Sequence, residues 1–114
     1  MKVEATRFRV KSGKSQQVDR WLEMLKGRMP EVLQTLDREK MYAEVIFREK
    51  IKGEDFLYWF SIQGEGGEPV STSPYDVDKK HIEFWNECID REFGKEELNP
   101  EVVMIPGRIS ALMK

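Results

Sequence analysis

The sequence predicts an α+β domain in which the elements follow the order β-α-β-β-α-β. Three observations carry that prediction. Two β-rich runs, 41–50 and 55–63, flank a glycine-containing connection and mark a hairpin; two amphipathic segments lie on either side of it; and β-rich runs stand near both ends of the chain. The length of 114 residues fits one domain, 1–114, large enough to bury a core without a metal or disulfide framework. A hydrophobic share of 39% with 11% aromatic residues places the chain among globular proteins, not disordered ones.

Residues 2–10 (KVEATRFRV) read as the first strand, closed by the turn-like Lys11-Ser12-Gly13-Lys14. Val18, Trp21, Leu22, Leu25 and Met29 then recur at the spacing of one helix face. Pro30 suits the first turn of a new short helix with Leu33 and Leu36 on its apolar side, so the chain bends between Gly27 and Pro30. In the hairpin, a loop of two or of four residues within Ile51-Lys52-Gly53-Glu54 gives the same register, with Phe47 opposite Tyr58 and Ile46 opposite Trp59. Gly64 to Pro74 is loop by composition, and Ser73-Pro74 opens a helix expected to run from about Tyr75 to Phe93 with Val77, His81, Phe84, Trp85 and Cys88 on its apolar stripe. Val102 to Ile105, stopped by Pro106-Gly107, reads as the last strand.

Alternation along the hairpin separates two faces. Ala43, Val45, Phe47, Phe56, Tyr58, Phe60 and Ile62 form a nearly apolar face, expected beneath the helices. The other face mixes apolar groups (Ile46, Leu57, Trp59) with Tyr42, Glu44, Arg48, Ser61 and Gln63. A monomer with helices on one side only would leave the patch of Ile46, Leu57 and Trp59 wet, so this face is expected at a two-fold interface.

Charge and motif content exclude several functions. Nineteen basic and 21 acidic residues, intermixed to a net charge of −2, supply no positive stripe for nucleic acid. No apolar run approaches the length that spans a bilayer and the start lacks an apolar leader, so a cytoplasmic location is expected, with neither membrane nor nucleic acid as partner. The single cysteine, Cys88, rules out an intrachain disulfide and falls where a free thiol acts as a small hydrophobe. Gly64-Glu65-Gly66-Gly67-Glu68 lacks the lysine of a phosphate-binding loop and carries two glutamates that repel anions; it reads as a flexible loop or a lid. The hydrolase and zinc-protease motifs are missing.

What remains is a small set of candidate site residues. His81 is the sole histidine and sits in an apolar stripe, where it needs a partner: a backbone carbonyl, a ligand, or Asp78 one turn earlier. Glu44 and Arg48 share a strand face with Ile46 between them and Trp59 beside them, and Tyr42 lies on the same face, an arrangement of polar anchors in an apolar cleft. One histidine does not make a metal site, and none is expected.

The element order describes a ferredoxin-like unit. Arg7 to Lys14, Phe47 to Lys50, Tyr58 to Gly67, Asp78 to Trp85 and Pro100 to Pro106 resemble a family of short bacterial proteins of unknown function, similar to the dimeric α+β barrel superfamily of antibiotic-biosynthesis-type monooxygenases and haem-degrading enzymes. The resemblance implies two antiparallel sheets facing each other across a two-fold axis. Haem-degrading members place an axial iron ligand on a helix histidine, a position His81 fills, and an asparagine on the first strand, which Lys2 to Val10 lacks; no cofactor is expected. The sequence thus points to a homodimeric α+β barrel that binds a small apolar or aromatic metabolite through Glu44, Arg48, Trp59 and Tyr42. An oxygenase- or isomerase-like enzyme using His81 as catalytic residue is the alternative, and a structural or regulatory interaction module is a third.

Overall fold

The computed structural model describes residues 1–113; Lys114, the last residue of the expected domain, lies outside them. Four antiparallel strands, β1 (Lys2–Arg9), β2 (Met41–Ile51), β3 (Glu54–Gln63) and β4 (Lys95–Leu98), form one sheet in the order β2-β3-β1-β4. Helices α1 (Ser15–Gly27), α2 (Met29–Arg38) and α3 (Asp76–Cys88) lie on one side of it, and a single turn of helix, α4 (Gly107–Ser110), follows β4. With β3 set between β1 and β2, and β1 between β3 and β4, this is the ferredoxin-like arrangement.

The hairpin takes the expected register, Phe47 against Tyr58 and Ile46 against Trp59. Its turn is two residues long. Lys52 and Gly53 both have positive φ, 51° and 80°, the left-handed pair that matches the twist of the flanking strands. The break between α1 and α2 falls at Arg28, within the expected stretch from Gly27 to Pro30, with Pro30 in the first turn of α2, where its missing N–H costs nothing.

The hairpin faces are the reverse of expectation. Ile46, Leu57 and Trp59 lie beneath the helices, and Leu57 is fully buried. Val45 and Phe47 stand on the open face, 40% and 57% exposed. The cause is aromatic volume: α1 and α3 bring Trp21, Phe84 and Trp85 to the sheet, and Trp59 is the strand residue that meets Trp21 and Trp85, with ring centroids 5.7 and 5.3 Å away. Trp21 is completely buried at the centre of this cluster. Counting apolar residues per face favoured the other orientation; packing of large rings onto Trp59 decides it.

Two boundaries also move. Helix α3 stops at Cys88, not Phe93, because Ile89 turns extended and bridges to Val10, while Asp90 N–H donates to the Arg9 carbonyl and its carboxylate receives the Arg9 guanidinium at 2.6 Å. Phe93 instead packs over Arg9, which lies 3.9 Å from its ring centroid, and against Phe56. The last strand is Lys95–Leu98, not Val102–Ile105. After Gly94, with φ of 85°, the chain reaches the free edge of β1 at once, and Arg7 faces Glu96 across the pair, a favourable opposite-charge contact. Val102 to Ile105 therefore runs unpaired beside the open face, bordering a shallow cleft with Val3, Ala5, Phe60 and Ile62.

Candidate functional site

Between the sheet and the helices lies a cavity of about 920 Å³. Strands β1, β2 and β3 supply its floor through Thr6, Phe8, Glu44, Ile46, Trp59 and Ser61. α1 and α2 supply an apolar wall of Leu22, Leu25, Val32, Leu33 and Leu36, and α3 adds Asp78, His81, Ile82 and Trp85. Val70 and Ser71, from a short 3-10 turn in the loop before α3, border it too. That loop is pinned at several points: Gly64 N–H donates to the Lys40 carbonyl and Glu68 N–H to the Arg38 carbonyl. Arg38 reaches the Pro69 and Thr72 carbonyls, and Gly67 lies so close to the Glu39 carbonyl that a side chain would clash there.

One end of the cavity is acidic. Glu44 accepts a hydrogen bond from Trp59 Nε1 at 2.8 Å. Burial pushes its pKa up, the indole pulls it back and the charge of Asp78 adds to the rise. Glu39, at the C-terminal end of α2, is pushed up to about 7, by burial first and then by the charges of Glu44 and Asp78. Asp78 occupies the first turn of α3, where the helix dipole favours a carboxylate. It is 6% exposed, and its side chain has no hydrogen-bond or ion-pair partner among the described residues. The Asp78 carboxylate lines the cavity and is not sealed into the core.

His81 completes this end. Its partner is neither a backbone carbonyl nor Asp78 but Trp21, whose Nε1–H donates to Nδ1 at 2.9 Å. An accepting Nδ1 places the proton of the neutral ring on Nε2. Burial holds the pKa down to about 4, against the opposing pull of Asp78, so the ring is neutral at neutral pH. The site therefore combines carboxylates able to accept hydrogen bonds or hold a cation, an imidazole N–H, the Ser61 hydroxyl and two indole surfaces.

Of the residues singled out in the sequence, Glu44, Trp59 and His81 come together around this cavity. Arg48 lies away from it, bound to Asp19 at 2.5 Å and to buried Asp55 at 2.9 Å. Ser15 also donates to Asp55, and these partners outweigh burial to hold that carboxyl below its usual range. Tyr42 sits where a register shift between Met41 and Ala43 interrupts the ladder, with its hydroxyl beside Gly64. Glu39 was not visible as a site residue: within Arg38-Glu39-Lys40 it reads as one more solvated charge, and only the positive φ of Lys40, 58°, and the packing of Gly67 turn it inward. Among the described residues no group of three or more histidine, cysteine or acidic side chains converges closely enough to hold a metal ion. No helix among them is long and apolar enough to cross a membrane.

Comparison with known proteins agrees with the fold and leaves the activity open. The sequence profile of a family of unknown function, DUF6176, matches residues 1–111. The chain belongs to this family. No curated protein matches it. Among solved structures, the crystal structure of an L-rhamnose mutarotase from Formosa agariphila is similar in fold, with a TM-score of 0.54 over 93% of this chain and 99% of the mutarotase, at 17% sequence identity. A likeness at that identity speaks for the fold alone.

Proposed function

We propose that this DUF6176 protein binds a small metabolite, apolar or aromatic over most of its surface, in the cavity between sheet and helices, and that it does so as a homodimer. The observation that carries the binding reading is Asp78, a residue only 6% exposed whose carboxylate lines a cavity of about 920 Å³ and has no hydrogen-bond or ion-pair partner among the described residues. Volumes of this size are those of small-molecule sites, where apolar walls hold a ligand and a few polar groups orient it. Glu44, Trp59 and His81 are the ligand contacts of this reading. Arg48 acts instead as a strut between β2 and α1, and Tyr42 supports the loop.

The homodimer rests on the opposite face. Val3, Ala5, Val45, Phe47, Phe60 and Ile62 lie side by side across three strands, with Val102 to Met104 exposed alongside. A radius of gyration of 15.0 Å exceeds the roughly 13 Å of a compact chain this long. A second sheet packed face to face would bury this surface and complete a dimeric α+β barrel; kinship with the monooxygenase-type barrels belongs to the same proposal. Native mass spectrometry of the purified protein tests both parts. The expected result is a dimer that retains a small molecule, released on denaturation and weakened by Asp78→Asn. A ligand-free monomer at micromolar concentration would overturn the reading.

A further inference from the structure

We infer that the ligand of this cavity is an organic cation, an aromatic or alkyl amine in its protonated form, whose ammonium group lies among Asp78, Glu44 and Glu39. The inference rests on the binding reading above and specifies its chemistry. Three carboxylates line one end of the cavity and none of them has an ion-pair partner among the described residues. Among the described residues Glu44 holds one hydrogen bond, from the Trp59 indole, and the Asp78 side chain holds none, although the residue is only 6% exposed.

The cations that border the cavity do not neutralise this end. Lys26 pairs with Glu23, Lys95 with Glu97, and Arg91 bonds to Asn86, all three exposed. His81 is held neutral by burial and by the Trp21 hydrogen bond, so it brings no positive charge. A bare divalent ion is a poor occupant, since the acidic groups are not placed to converge on one. A bulkier cation that spans separated carboxylates suits them better, and Trp59 and Trp85 present the ring surfaces on which such cations rest. The leucine-rich wall from α1 and α2 then takes the apolar remainder of the molecule.

The test uses three matched probes on the full chain: benzylammonium, benzyl alcohol and benzoate, followed by isothermal calorimetry and tryptophan fluorescence. Benzylammonium is expected to bind about tenfold or more tightly than benzyl alcohol, the usual worth of a charged hydrogen bond, and benzoate weakest of the three. Asp78→Asn is expected to remove that tenfold preference and leave benzyl alcohol unchanged; Glu44→Gln serves as the second variant should Asp78→Asn fold poorly. Affinity for benzylammonium is expected to rise as pH passes through about 7, where Glu39, facing Glu44, Asp78 and Arg38, gives up its proton. Equal binding of the alcohol and the ammonium, or preference for benzoate, would overturn the cation and leave the binding reading standing. Binding of none of the three would overturn the cation as well, with the co-purified ligand deciding the broader reading independently.

Discussion

The two faces of the sheet carry each other's expected chemistry. The face beneath the helices holds Glu44, Ser61 and Thr6 among its apolar groups, and a second set of acidic residues faces them from α2 and α3. The open face is the more uniformly apolar one, with Val45 and Phe47 prominent. In a monomer with one core the reverse arrangement would be favoured, since apolar area belongs inside and polar groups outside. In the proposed dimer the two faces would answer to different partners. The covered face lines a cavity with polar groups, and the open face carries the apolar surface on which a second sheet is proposed to pack.

The largest effect should come from the residue that separates core from cavity. Trp21 is fully buried, meets Trp59, Phe84, Trp85 and His81, and donates the hydrogen bond that fixes the histidine. Trp21→Ala is expected to cost about 3–5 kcal/mol in urea unfolding, the range for removing a large buried aromatic side chain. A loss below about 1 kcal/mol would mean that the aromatic cluster is not the core and that packing on Trp21 does not decide which face the helices cover.

A second pair of substitutions tests the faces against each other. Phe47→Glu, on the open face, should leave the fold intact and weaken self-association by about 2 kcal/mol or more, roughly thirty-fold, as loss of a central interface aromatic does. Trp59→Glu should instead give unfolded or aggregated chain, because Trp59 packs on Trp21 and Trp85. Sedimentation velocity with circular dichroism on both variants reads the outcome. Folded monomers from Trp59→Glu together with intact dimers from Phe47→Glu would reverse the comparison.

The ferredoxin-like order was legible because it depends on local signals: hairpin alternation around Lys52-Gly53, helical spacing from Val18 to Met29, and Pro30 at a helix start. What was not legible depends on contacts between distant segments. Alternation separates the two faces of a hairpin but cannot say which one the helices choose; here Trp59 meeting Trp21 decides it. Likewise Val102 to Ile105 has the stronger β composition, yet the edge of β1 pairs with the charged Lys95–Leu98 because that segment arrives first and offers Glu96 to Arg7. Glu44 and Trp59 could be read as neighbours on one strand face, but joining His81 to them required the helices to cover that face, which Trp59 decides, and Glu39 required the helix end and the Gly67 contact.

The smallest effect is a pH dependence, and it arises because two groups in one cavity titrate in opposite senses. His81 falls from about 6.5 in the unfolded chain to about 4 when folded, so its contribution to stability is present above 6.5 and is lost as pH drops toward 4. Glu39 rises from 4.5 to about 7, so its contribution is present below 4.5 and is lost as pH climbs toward 7. Between 4.5 and 6.5 the two slopes oppose, each at most about 1.4 kcal/mol per pH unit, and wild-type stability should be nearly flat there. His81→Gln removes one slope and leaves the other. The variant should lose stability with rising pH across this window, measured as urea midpoints at a series of pH values. Parallel profiles for variant and wild type would mean that His81 titrates in the folded protein as it does in the unfolded chain. The Trp21 hydrogen bond would then not be holding a neutral ring against the acidic end of the cavity.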